Sequence, residues 1–319
     1  MEEPGRGTLA RFEGRAMGSP LRLSFGAVVP RPVEAARFWR LVVEEFETAE
    51  DALSRFRDTS ELTTLNKAAG SGAVACPSDR LRRALTAADR AHRITLGRFD
   101  PRVLVDLDRL GYRGAPLDGP PPDDRPRAAR SVSRIVEPTG RRGRSIARPV
   151  DLGGIGKGLT LRWAAAVLAG TGAVDFLLEA GGDLVARGLD ADGVPWQVGI
   201  EDPLGDGEPL AVIAAQDLAV ATSSIAVHRW DVDGREVHHL LDPRTGEPAE
   251  GGLAAVTVAG PDPAWAEVWS KVLFVGGRGS IARDARSRGL AAWWVADDGA
   301  FEMTAAARTL TTWVAAEAG

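Results

Sequence analysis

Residues 151–187 read DLGGIGKGLTLRWAAAVLAGTGAVDFLLEAGGDLVAR, and this stretch decides the fold class. Gly153, Gly154, Gly156 and Gly158 stand directly before LTLRWAAAVLA, an apolar run of helical length at about 159–169. Val174–Glu179 then reads as a strand, Gly181 and Gly182 break it, and Leu184–Arg187 resumes it. Outward from this unit, further strands are expected at Leu21–Phe25, Trp196–Ile200, Leu210–Ala214, Leu218–Ala221, Val237–Leu241, Ala254–Val258 and Leu290–Ala296. Two more, Ser131–Val136 and Arg144–Leu152, flank the turn Thr139–Gly143. They are short, close together and divided by turn residues, which predicts antiparallel hairpins. Helices intervene. Trp39, Val42, Phe46, Ala49 and Leu53 recur in steps of three and four after Pro32. Ser78 caps a helix at Asp79–Ile94 with Leu81, Leu85, Ala88 and Ala91 as its buried stripe, and Asp262-Pro263 opens another at 263–276. Helices mixed with mainly antiparallel strands give an α+β class. Residues 113–130, rich in Pro, Gly and charge, read as an exposed loop within one domain spanning 1–319.

Two segments carry candidate chemistry. Glycines ahead of a helix let backbone N–H groups approach an anion, the helix N-terminus favours negative charge, and Lys157 adds a point charge. The competing reading of 151–158 is a tight turn that needs glycine for positive φ. It is not a phosphate-binding P-loop, because Asp151 stands where that motif needs Gly and Gly158 where it needs Ser or Thr. Nor does it meet the dinucleotide fingerprint, since residue 159 is Leu. The second segment is His238-His239-Leu240-Leu241-Asp242-Pro243-Arg244-Thr245-Gly246. Its Asp-Pro-x-x-Gly core is turn chemistry in any protein. A histidine on the strand leading in can take a proton from a hydroxyl, or can be structural. Glu267 and Lys271, at i,i+4 with the acid first, read as a solvated helix ion pair. Ala221-Thr222-Ser223-Ser224 either donates hydroxyl hydrogen bonds or ends a strand.

Composition narrows the partners. The net charge of −5 supplies no general field for nucleic acid. A single cysteine, Cys76, forbids an intrachain disulfide and reads as a buried free thiol. The nine tryptophans are scattered and are expected in the core rather than in a stacking box. The first residues hold no apolar signal region, and no run of about 18 apolar residues occurs, so a cytoplasmic protein without a membrane span is expected.

Taken in order, the motifs resemble the ApbE family of FAD:protein FMN transferases along nearly the whole chain. The matching pieces are Met17-Gly18-Ser19, Leu53-Ser54-Arg55-Phe56, Ser60-Glu61-Leu62, Leu65-Asn66, Gly97-Arg98-Phe99-Asp100-Pro101 and the 151–158 turn. Glu179-Ala180-Gly181-Gly182-Asp183, Ala221–Ser224, Arg229 and the 239–246 run complete them. The resemblance implies two tightly joined lobes of mainly antiparallel strands and helices, with FAD between them. It implies that a Thr or Ser hydroxyl of an acceptor protein attacks the FMN-side phosphorus, with AMP leaving. It places the base at His239 and flavin-nucleotide contacts at Met17, Phe56, Arg98, Phe99, Asp100, Asp151, Lys157 and Leu241. Phe56 would offer an aromatic face to a ligand ring.

The same resemblance implies magnesium, held at Gly154 and Glu267. Magnesium-using relatives carry Asp and, four residues on, Thr where this chain has Glu267 and Lys271. Glu can ligate a hard cation; an ammonium has only donors and cannot. Two other functions fit the same motifs: a protein that holds FAD without transferring it, and an FAD pyrophosphatase in which water replaces the acceptor hydroxyl.

Overall fold

The computed structural model describes residues 10–112, 134–140, 143–205, 207–226 and 228–315. The expected loop at 113–130 and the start of the expected strand at 131–136 lie outside the described residues. The strands are β1 (Arg11–Ala16), β2 (Ser19–Phe25), β3 (Glu137–Thr139), β4 (Gly143–Ser145), β5 (Phe176–Ala180), β6 (Asp183–Arg187), β7 (Trp196–Glu201), β8 (Pro209–Ala215) and β9 (Leu218–Ser224). Then come β10 (Arg229–Val232), β11 (Arg235–His238), β12 (Leu241–Asp242), β13 (Glu247–Pro248), β14 (Leu253–Gly260), β15 (Ala291–Ala296), β16 (Phe301–Met303) and β17 (Thr311–Val314). The helices used below are α1 (Pro32–Leu53), α2 (Glu61–Lys67), α3 (Asp79–Ile94), α4 (Leu104–Arg109), α5 (Gly156–Gly170), α6 (Pro263–Gly276) and α7 (Arg278–Ser287).

One eight-stranded sheet, in the order β1-β2-β5-β6-β9-β14-β15-β16, organises the molecule, and every neighbouring pair in it is antiparallel. Both faces are covered, as the period of two along its strands requires. On β5, Phe176, Leu178 and Ala180 pack with Phe38, Val42 and Phe46 of α1 and Leu161, Ala164 and Leu168 of α5. On β14 and β15, Val256, Val258, Ala292 and Trp294 meet Ala266, Leu273 and Phe274 of α6 and Ile281 of α7. The alternate residues Leu184, Ala186, Val220, Ala259 and Trp293 face a three-stranded sheet, β17-β8-β7. Trp293 is wholly buried there, and its indole N–H donates to Thr311 Oγ1 at 3.0 Å. No helix among the described residues is long and apolar enough to cross a membrane.

The α+β class stands, and α3 starts and stops where its cap and stripe predict, with Ser78 accepting from the Leu81 amide. Elsewhere the expectations are adjusted. β1 was not foreseen, because RFEGRA is an exposed edge strand with no apolar alternation. The strand expected over 144–152 shrinks to Gly143–Ser145. Beyond it the chain runs as a loop, pinned where the Asn66 amide donates to Val150 O and the Val150 N–H donates to Asn66 Oδ1, each at 2.9 Å. The strand expected over 237–241 is two pieces, β11 and β12, with His239 between them. Cys76 is exposed, not buried. Of the nine tryptophans Trp196, Trp293 and Trp294 are buried, Trp39, Trp163, Trp230, Trp265 and Trp269 are half-buried against the core, and Trp313 is exposed.

Candidate active site

The glycine turn is built by close approach rather than by left-handed backbone. None of Gly153, Gly154, Gly156 and Gly158 has positive φ, so the turn reading that needed it is corrected. A Cβ at Gly158 would lie 2.5 Å from Pro263 O and 2.6 Å from Ala264 Cα, so glycine lets the start of α5 rest on the start of α6. A Cβ at Gly154 would lie 2.9 Å from Phe99 Cε2 and 3.3 Å from Lys271 Cδ. The turn's amides are also less free than the sequence suggests. Gly153 N–H donates to Asp151 Oδ1 at 2.5 Å, Gly156 N–H to Leu152 O at 2.7 Å, and Gly158 N–H to Glu267 Oε2 at 2.8 Å. The positive end of α5 thus already faces a carboxyl group, that of the protein's own Glu267.

Even so, the turn faces a cavity of about 1250 Å³. That exceeds the usual 300–1,000 Å³ of a drug-sized site and suits a dinucleotide. Met17, Phe56, Arg98, Phe99, Asp100, Asp151, Gly154, Lys157, His239 and Leu241 all line it. Glu267 does not; it lies behind the wall and is fully buried. Lys157 is ion-paired with Asp183, whose other oxygen accepts the Thr222 N–H at 3.1 Å. Burial opposes the Lys157 charge, but Asp183 and Glu267 outweigh it and hold the ammonium above its ordinary value. Asp151 is clasped by Arg55 Nε at 2.9 Å. Asp100 holds Arg102 and caps the turn that follows, while Arg98 is paired with Asp284. Thr222 and Ser223 lie within β9, which runs on to Ser224, and their hydroxyls hydrogen-bond with those of Thr257 and Ser270 at 2.8 Å. Arg229 instead pairs with exposed Glu236.

His239 sits in the same cavity as Lys157, on the link between β11 and β12. Burial, followed by the charges of Lys271, His228 and His238, lowers its pKa to about 3, so the imidazole is neutral. Its Nδ1 is buried and makes no hydrogen bond within the protein, so the resting ring is neutral and, in this environment, a weak proton acceptor. Around it stands an aromatic group that the sequence reading missed. The ring of His228 lies 5.0 Å from that of His239, and Tyr112 stacks on Trp230 at 5.3 Å. Phe56, 56% exposed, meets Tyr112 edge-on, and the Arg55 guanidinium lies 4.4 Å from the Phe56 centroid and 4.9 Å from that of Tyr112. Tyr112 is the one tyrosine of the chain, the only hint its sequence gave. Arg55 and Asp183 stood inside quoted motifs without a role.

Glu267 and Lys271 are not a solvated pair. Glu267 has no exposure, because α6 turns it into the junction with α5, and burial pushes its carboxyl up against the pull of Lys271 and Lys157. Its Oε2 accepts from Gly158 and its Oε1 lies 3.4 Å from Lys271 Nζ. Magnesium demands near-octahedral oxygen donors at about 2.0–2.1 Å. A carboxylate with both oxygens engaged and an ammonium beside it do not make that donor set. Among the described residues no group of three or more His, Cys, Asp or Glu is placed to hold a metal ion.

Comparison with known proteins bears on this geometry. The profile of the ApbE family matches residues 17–294. The chain is similar to the FAD:protein FMN transferase of Salmonella typhimurium, 28% identical over 298 residues that cover 90% of this chain and 84% of that protein. It is 32% identical to the FAD:protein FMN transferase of Treponema pallidum over 251 residues, 71% of this chain and 67% of that one. The solved ApbE protein of Thermotoga maritima superposes with a TM-score of 0.83 at 24% identity, over 96% of this chain and 100% of that one. The flavin transferase ApbE from Vibrio cholerae gives 0.78 at 24%, over 95% and 100%. At such identities the structural likeness speaks for the fold.

Proposed function

Because the chain belongs to the ApbE family, we propose that it binds FAD in this cavity and transfers the FMN half to a Thr or Ser hydroxyl of an acceptor protein, releasing AMP. The observation that carries the reading is that Lys157 of the glycine turn and His239 of the 238–246 run, remote in sequence, line one cavity. The acceptor oxygen bonds to the FMN-side phosphorus as the bond from that phosphorus to the AMP oxygen breaks. The hydroxyl proton passes to neutral His239. Phe56, held from behind by Arg55, presents an open ring face for stacking. Asp151, Arg98 and Asp100, each fixed by a partner, shape the wall rather than search for the ligand. The core cluster that runs from Ala52 to Val272 supports reading residues 1–319 as one unit. A lone cysteine suits a reducing compartment, and we read the site of action as the cytoplasm, which cell fractionation would check.

The test is to incubate the protein with FAD and candidate acceptors, then look for a protein-bound flavin and a mass gain of one FMN. His239→Ala should retain FAD and lose transfer by about 10²–10⁴-fold. Free FMN and AMP without a labelled protein would make it a pyrophosphatase. FAD held intact would make it a carrier. A protein that shows no thermal shift with FAD would remove the whole reading.

A further inference from the structure

The cavity wall carries five lysine and arginine side chains among the described residues: Arg22, Arg55, Arg98, Lys157 and Lys271. Four are clasped tightly. Arg22 meets Glu179 and Arg55 meets Asp151, each at 2.9 Å, and Arg98 and Lys157 are held at least as closely by Asp284 and Asp183. Lys271 is the exception, with Nζ 3.4 Å from Glu267 Oε1. Its stem passes over Gly154, so the ammonium stands at the corner where the glycine turn, α5 and α6 meet. Its carboxylate partner has no exposure, while the lysine side chain keeps 20%. Of the five cations it is the one with a loose partner, a flexible stem and access to the cavity.

A dinucleotide brings a pyrophosphate into this wall, and breaking its P–O bond raises the charge on the departing AMP phosphate. Something positive must meet that charge in a site shielded from water. Resting on the FAD reading above, we propose that Lys271 is that cation: its ammonium contacts the pyrophosphate, and the protein handles FAD without a divalent metal. Glu267 has a different task. Pinned by the Gly158 amide, it keeps the α5 terminus neutralised and holds the lysine at the cavity wall. The chemistry balances without a further reactant. One acceptor O–P bond forms, one P–O bond to AMP breaks, the hydroxyl proton goes to His239, and nothing is oxidised or reduced.

The experiment measures FAD affinity by flavin fluorescence in EDTA and in excess magnesium. The wild-type protein should give the same affinity in both. Lys271→Met should weaken FAD binding about ten- to a hundredfold in EDTA, the worth of a charge-assisted contact, and magnesium should not restore it. Lys271→Arg should retain metal-independent binding. Because Lys271→Met leaves Glu267 without its partner, Glu267→Gln/Lys271→Met is measured beside it, with thermal melting as the check on folding. Wild-type affinity that collapses in EDTA and returns with magnesium overturns the proposal while leaving the FAD reading intact. So does unchanged affinity in a folded Lys271→Met or Glu267→Gln/Lys271→Met. Absence of FAD binding under every condition removes the FAD reading itself.

Discussion

Replacing His239 by glutamine should make the protein less sensitive to acid. The folded-state pKa is held at about 3, well below the ordinary value of 6.5, chiefly because the ring is buried. Between those two values the unfolded chain binds a proton that the folded chain refuses. Stability from this group is therefore complete above pH 6.5 and declines as pH falls toward 3. Each tenfold change in proton affinity is worth about 1.4 kcal/mol, so the loss reaches about 2 kcal/mol at pH 5 and about 4–5 kcal/mol at pH 3. A neutral amide of similar size has no such term. Urea unfolding of both proteins at pH 7 and pH 5 isolates it. His228 and His238, also shifted down, remain in both and cancel in the difference. The wild type should lose about 2 kcal/mol more than His239→Gln between the two pH values. Equal losses would mean that the ring titrates in the folded protein as it does in the unfolded chain, and the argument that burial refuses it a proton would fail.

Other changes probe the scaffold of the site. Gly158→Ala drives a Cβ into the backbone of Pro263 and Ala264 and disturbs the amide that holds Glu267. Overpacking and a lost charged hydrogen bond together predict about 3–5 kcal/mol in urea unfolding, with weaker FAD binding. Trp293→Ala empties the space between the two sheets, where Leu184, Val198 and Val220 of the same cluster also line the cavity. It should cost about 3–5 kcal/mol in the same assay and weaken FAD binding as well. Arg55→Ala removes the clasp on Asp151 and the support behind Phe56, so it should lower both melting temperature and FAD affinity.

What the sequence made legible follows from where the information sits. Caps and stripes are local, so α3 and the start of α6 could be read residue by residue. Alternation is local too, and β5, β6, β7 and β8 came within one or two residues of their ends. Side-chain partnership is not local. Nothing near Gly158 says that its amide will meet Glu267, and nothing near Lys271 says that its neighbour four residues back is buried. Helix spacing alone gave them the bland reading of a surface pair. Likewise Tyr112, Trp230 and His228 come together only because α4 packs under the β10–β11 hairpin through Leu107, Leu110 and Val237. A charged edge strand such as β1 leaves no apolar trace at all.

The cavity wall takes residues from as early as Met17 and as late as Val275, and the strands between them pair out of chain order. No fragment of the chain can assemble such a wall. It exists only once the eight-stranded sheet is complete, so a nucleotide that binds there draws its energy from the finished molecule and returns it to the whole. Ligand at a hundred times its dissociation constant adds about 2.7 kcal/mol of resistance to unfolding. Flavin supply would then govern how long a molecule of this protein survives in a cell, quite apart from how fast it turns over.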